Sequence, residues 1–494
     1  MDYLFRSFEL DSLVPGFCDR SDVIGISSLN ALDNITRDDV LNSRGEFAGV
    51  FVENGEVVAF RDRLGARNIY YCIEGNRLHI STEIQEIARH FLHPKPDYDY
   101  MLKEYVQFQI PFSDSTFFAD IKKVMPGEMV RFSSKGVERE KYWSPKFGSE
   151  LFDAEHLREL VKDAVDFRID LIGDLPYTSY LSGGIDSSSI ALLTLTETCF
   201  SGFYEEQGYS ELEFIESVVE KADFPMGFVP VQITEDSFQS KLTELSSIIP
   251  DPSCGLGAIP QVLVATEAKK QGFRYAFTGE GGDEIFSGYN WNYAVFSMAD
   301  SIRKLLNDRY MVGYEPMVEK MLKDGFPTFV GGLLSRGGDL LFATQKILER
   351  WDMNECVENN VLSINLSVGL PAILTVDEQV GKFSDVEPVS PLVDHKIVEY
   401  VCSLKPSERL SIPKGIFRDS MNGILPEKVR TRYNKMGFPV PYKQWDWSFV
   451  KPALESLMKR GIIVFDIDDH HEMDRSTWAL YNIEMWHQKF SDRK

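Results

Sequence analysis

Up to about residue 140 the apolar positions come in short runs of β type separated by turns: Gly49 to Phe51, Glu56 to Phe60, Asn68 to Cys72, Arg77 to Ser81 and Glu128 to Phe132. Asn54-Gly55 sits between two of these runs and predicts a two-residue hairpin, since both residue types tolerate positive φ. From about Asp153 the period changes. A helical pattern from Ala154 to Arg168 precedes an apolar run from Tyr177 to Leu181, and continued alternation of this kind predicts a parallel α/β sheet. Ser144 to Leu151, a polar stretch with Pro145 and Gly148, marks the boundary and divides the chain into a first domain over 1–147 and a second over 148–494. Beyond Asn290 the segments are helical in pattern, broken by Gly331-Gly332 and Gly337-Gly338, and predict a helical insertion covering the sheet.

Composition narrows the class. With 494 residues, 43% hydrophobic and 26% charged, the chain can build more than one core. No stretch approaches 18 consecutive apolar residues, and the N-terminus has no basic segment followed by a long apolar one, so a soluble cytoplasmic protein without a membrane span is expected. A net charge of −24 repels a phosphate backbone and excludes nucleic acid as the expected partner. The six cysteines form no CxxC pair and the eight histidines no HExxH, so neither a zinc site nor a disulfide framework is foreseen.

Two glycine-rich turns carry the candidate chemistry. The first, Leu181-Ser182-Gly183-Gly184-Ile185-Asp186-Ser187-Ser188, ends an apolar strand and opens a helix. That order aims backbone N–H groups at an anion, the serines add hydroxyl donors, and Asp186 can hold a Mg²⁺ that neutralises pyrophosphate. The second runs Thr278-Gly279-Glu280-Gly281-Gly282-Asp283-Glu284 after the short apolar run Tyr275-Ala276-Phe277. Glycines and acids at a strand's carboxyl end would make a poor core and a good metal and phosphate site.

The first turn resembles the pyrophosphate loop of ATP-pyrophosphatase enzymes, and the second, extended by Ile285-Phe286-Ser287-Gly288-Tyr289, closely resembles the asparagine synthetase superfamily, which includes β-lactam synthetases and lasso-peptide cyclases. The resemblance continues through Ser201-Gly202-Phe203, Ala258-Ile259-Pro260, Pro391 to Glu399, Lys414 to Arg418 and Lys435 to Pro441. It implies an adenine-nucleotide α-hydrolase-like synthetase domain behind an Ntn-type, β-rich αββα domain, with ATP and Mg²⁺ as cofactors. By the same resemblance Leu181, Ser182, Gly183, Gly184, Asp186, Ser187, Ser188, Gly202, Phe203, Gly279, Glu280, Gly281 and Gly282 bind nucleotide, Asp186 and Asp283 hold metal, and Lys435 faces the reacting phosphate.

The first domain resembles the later strands of the family's glutaminase domain: Arg44 to Ala48, Arg61 to Gly65, Ile69 to Tyr71 and Ser81 to Ile84. Glutamine-dependent members begin Met-Cys-Gly, whereas this chain begins Met-Asp-Tyr, so an inactive platform and another source of amine are expected. Val389 stands where asparagine synthetases carry an arginine, and Lys396 where a β-lactam synthetase has its glutamate. Glu387 falls on the glutamate of the asparagine synthetases, as a base that would deprotonate the attacking amine. The reading is an AMP-forming carbon–nitrogen ligase that closes a macrolactam in a peptide, as lasso-peptide cyclases do. The alternatives are an ammonia-dependent asparagine synthetase, a β-lactam synthetase-like cyclase and a catalytically dead scaffold. Expected partners are a small-molecule or peptide carboxylate, a protein or protease that delivers the precursor peptide, and a second copy in a homodimer.

Overall fold

The computed structural model describes the chain apart from residues 1–2, 11–20, 33, 91–93, 207–208, 210, 247–254, 307–319, 321–324, 336–337, 411, 434–439, 442, 465–472 and 493–494. Its first part is built on two antiparallel sheets. One has the order β1 (Phe5–Glu9), β6 (Arg77–Ser81), β5 (Tyr70–Glu74), β7 (Lys122–Lys123); the other runs β2 (Ser21–Ser27), β3 (Gly45–Glu53), β4 (Glu56–Arg61), β8 (Glu128–Ser133), β9 (Gly136–Lys141). Asn54 and Gly55 take φ of 52° and 77° and join β3 to β4 as the hairpin pattern predicts.

Alternation along β3 makes both faces of that sheet apolar. Ala48 and Val50 join Val57 and Ala59 against Leu78 and Ile80 of the other sheet, while Phe47 and Phe51 join Val58 and Phe60 against Leu29, Ile35 and Val40. Each of these phenylalanines, fully buried, contributes on the order of 1.5–3 kcal/mol.

The second part holds a parallel sheet in the order β12 (Gly227–Gln232), β11 (Thr198–Phe203), β10 (Tyr177–Tyr180), β13 (Tyr275–Phe277), β14 (Glu387–Val389). The helix Ala154–Ile172 before β10 is capped by Asp153, whose carboxylate accepts from the N–H of Glu155 and His156. Its Leu157, Val161, Ala164 and Val165 enter the main core with Ile190, Phe277 and Val398, and Ile26, Leu64 and Ala66 reach into the same core from the first part. The helix Ala258–Lys270 covers the opposite face through Val264 and Ala268 on Phe200.

The helical segments after Asn290 cover the sheet only in part: Leu370 and Leu374 of the helix Leu370–Ser384 join Phe277 and Val389 in the main core, whereas other segments pack among themselves. Val295, Ala299, Val330, Ala343, Ile347 and Val361 form their own core with Phe108 and Phe112 from the first part, because their apolar stripes face one another. One unbroken helical run, Val357–Ser384, is 28 residues long and by length and composition apolar enough to cross a membrane. Its most apolar window is 72% buried inside the protein, which marks a core helix. A π-helical turn, Asn365–Gly369, interrupts it.

Candidate active site

β10 and β13 are neighbours, so their carboxyl ends deliver the two glycine-rich turns to one place. The first passes into the helix Ile185–Leu193 and the second into the short helix Gly282–Ile285. They touch backbone to backbone. A Cβ on Gly279 would lie closer than 3.0 Å to the Ser187 nitrogen, and one on Gly282 closer than 3.0 Å to the Asp186 carboxylate. Gly279→Ala is therefore expected to push the turns apart and cut ATP–pyrophosphate exchange at least tenfold with an unchanged circular dichroism spectrum; exchange at the parental rate would show that the close contact is dispensable.

Where the turns meet, a buried lysine joins two aspartates. Lys414 Nζ lies 2.6 Å from Asp186 Oδ2 and 2.6 Å from Asp283 Oδ1. Burial alone would drive the ammonium to lose its proton, but the two carboxylates outweigh burial and raise its pKa above the ordinary lysine value. Lys414 adopts φ 55° just ahead of the helix Gly415–Ser420, a left-handed conformation costly for a side chain of this size, and one that persists only where the surroundings enforce it. The second carboxylate oxygen of Asp186 is buried without a hydrogen-bond partner, and so is the Ser188 hydroxyl. Ser182 and Ser187 share a hydroxyl contact of 2.9 Å, and the Ser187 hydroxyl accepts from the Ser182 N–H at 3.1 Å.

These groups fit a magnesium–nucleotide pair. The donors are hard oxygens, one carboxylate oxygen is unsatisfied, and a helix N-terminus with a free hydroxyl stands beside them. Among the described residues no cluster of three or more metal-ligating side chains occurs, so the two aspartates would share the ion with phosphate oxygens and water. Leu181, Ser182 and Gly202 also line a largely apolar cavity with Tyr180, Phe200 and Ile215. Tyr204 Oη and Gln261 Oε1 are buried there without partners, two polar groups available to a heterocycle's edge. Phe203, the last residue of β11, does not line this cavity.

The remaining expectations separate. Glu280 lies in the second turn, where its N–H meets the Thr278 hydroxyl at 3.4 Å, and its charge helps raise the pKa of fully buried Asp377, whose burial acts first. Lys435 lies outside the described residues. Glu387 is not brought to the Asp186–Lys414–Asp283 group. It opens β14 opposite Tyr275, at the end of the sheet away from the glycine-rich turns, and its carboxylate is bound by Arg67 of the first part at 2.8 Å. To act as a base, Glu387 would first have to be released from Arg67. Lys414 was the residue missing from the sequence-derived site; its segment Lys414 to Arg418 carried the family resemblance, but nothing in that segment alone points to Asp186.

The family model described as "Asparagine synthase" matches residues 156–488, and that described as "Glutamine amidotransferase domain" matches 19–143. The chain is 24% identical to "Asparagine synthetase [glutamine-hydrolyzing] 1" of Bacillus subtilis over 90% of its own length and 77% of that protein's. It is 24% identical to "Asparagine synthetase [glutamine-hydrolyzing] 3" of the same organism over 80% of its length and 67% of that protein's. It is 28% identical to "Amidase chry2" of Gibberella zeae over 50% of its length and 40% of that protein's. With one family model spanning most of the chain and the paired turns at its parallel sheet, this protein belongs to the asparagine synthase family of amide-forming ligases.

Proposed function

We propose that the chain activates a carboxylate with ATP and Mg²⁺, releases AMP and pyrophosphate, and passes the acyl group to an amine that does not come from glutamine. The observation that carries this reading is the Lys414 bridge between Asp186 and Asp283 beside an unsatisfied carboxylate oxygen. Bound there, ATP with Mg²⁺ would supply the leaving group that makes a carboxylate reactive toward nitrogen. The chain's own part is positional and electrostatic. Ser182 to Ser188 would offer N–H and hydroxyl donors to the pyrophosphate, Asp186 and Asp283 would hold the ion, and Lys414 would keep positive charge where the phosphates gather. Lys435 is assigned the reacting phosphate on the family resemblance of its motif.

Two observations support a reading other than glutamine-dependent asparagine formation. Burial pushes the Cys72 thiol, which lies in the first part, up to about 12, and does the same for Cys199 and Cys402, so none of these is a nucleophile near neutral pH. Val389 is fully buried where asparagine synthetases carry an arginine, so that position offers no cation to the α-carboxylate of free aspartate. The finer reading is ring closure within a peptide, joining an amine to an acidic side chain. In ATP–pyrophosphate exchange, peptides encoded beside the gene are expected to stimulate exchange and to yield a product lighter by one water. Exchange with L-aspartate and ammonium alone would instead make the protein an ammonia-dependent synthetase, and absence of exchange with every substrate would leave a scaffold.

A further inference from the structure

Apart from the paired turns, a cavity of about 410 Å³ opens where the end of β9 meets the helical arm. Arg63, Lys141 and Trp143 line it from the first part, and Arg350, Leu366 and Ser367 from the arm. Its size falls in the range of small-molecule sites, roughly 300–1,000 Å³. The acids on its wall are already engaged. Glu128 accepts from Arg139 on both oxygens, at 2.8 and 2.9 Å, and from the Met125 N–H at 2.8 Å, while Glu349 lies 3.4 Å from Lys346.

The three cations on the wall make no ion pair among the described residues, although Glu104 and Glu349 lie near Arg350. Arg63 donates to the carbonyls of Ser43 and Leu41, at 2.6 and 2.5 Å, and Arg350 donates to the carbonyl of Phe112, whose ring lies 5.3 Å beneath it. Carbonyls satisfy the donors without cancelling the charge. Lys141 makes no ion pair among the described residues, and burial together with nearby Arg350 lowers its pKa, against the pull of Glu128. Three cations without an ion pair among the described residues, gathered around one cavity, stand out in a chain of net charge −24. The Trp143 N–H is taken by Glu399 at 2.8 Å, which leaves the indole ring, with Leu366, as apolar wall.

We propose that this cavity binds a small organic carboxylate, its oxygens held by Lys141 and Arg350 and its apolar body packed on Trp143 and Leu366. A free aromatic acid and the C-terminal carboxylate of a peptide offer the same chemistry, and titration calorimetry on the full chain separates them. The probes are phenylacetate, N-acetyl-glycyl-phenylalanine, and the amide of that dipeptide. One of the two acids is expected to bind saturably, the amide at least tenfold more weakly, and the affinity is expected to fall at least tenfold in Lys141→Met. Ser367→Trp, which keeps every charge and fills the space, is expected to lose binding as well, and so guards against a charge variant that merely misfolds. Absence of saturable binding by both acids, equal binding of the amide, or undiminished affinity in both variants would overturn the site. The readout is heat and not turnover, so the result stands independently of the ligase reading.

Discussion

Replacing Lys414 by methionine is expected to lower ATP–pyrophosphate exchange by at least about 10²-fold, the scale on which removing one preorganised charge-stabilising donor acts. The ammonium lies 2.6 Å from both Asp186 and Asp283, so its loss leaves two carboxylates facing each other. Asp186 is nearly buried, whereas the Asp283 side chain is 37% exposed, so the stability cost falls mainly on Asp186. A divalent cation can take over part of the missing charge. Millimolar Mg²⁺ should therefore raise the unfolding midpoint of the variant more than that of the parent protein, measured by urea titration with and without EDTA. A variant that retains more than half of the exchange rate would remove Lys414 from the site.

Arg168→Met is expected to cost about 3–5 kcal/mol of stability, because it breaks a buried ionic network at its centre. Arg168 is fully buried on the helix Ala154–Ile172, with Nε 3.3 Å from Glu46 and Nη1 3.1 Å from Asp394. It also donates to the carbonyls of Ala164 and Val393 at 3.1 and 3.0 Å. Burial raises the Asp394 carboxyl pKa, but Arg168 and Arg44 outweigh burial and bring it below the usual carboxylate value. An acid lowered in the folded state adds stability above its unfolded pKa, about 3.9, which is lost as pH falls through the folded value. In Arg168→Met the folded pKa of Asp394 should rise, so the part of the acid limb that this carboxylate contributes should shrink, and the variant should lose less stability than the parent as pH falls below about 3.9. A variant within about 1 kcal/mol of the parent in urea unfolding would show that the network is not needed for stability.

Local pattern made much of this legible. The Asn54-Gly55 turn, the helix beginning at Ala154 and the two glycine-rich turns each depend on a few adjacent residues. Lys414 was hidden because its meaning lies 228 residues away at Asp186. Glu387 lies apart from the paired turns for a related reason: matching its motif gives a position in the sequence, but the parallel register opposite Tyr275 decides which end of the sheet the residue occupies. The helical segments after Asn290 were legible only in part, because an apolar stripe signals burial without naming the surface that buries it: Leu370 and Leu374 meet the sheet, whereas Val295, Val330 and Ala343 meet Phe108 and Phe112.

The Glu46 carboxylate lies on β3, yet it accepts the Ser390 N–H at 3.0 Å and sits within 3.3 Å of both Arg67 and Arg168. Ser390 directly follows β14 and shares a hydroxyl contact of 3.0 Å with Thr278, the first residue of the second glycine-rich turn. The amidotransferase-like half therefore supplies a structural anion to the ligase half. A gene trimmed to the ligase half would yield a chain whose buried Arg168 keeps Asp394 but loses Glu46, and whose Ser390 N–H loses its acceptor, so selection on amide formation alone is enough to preserve the half that precedes it.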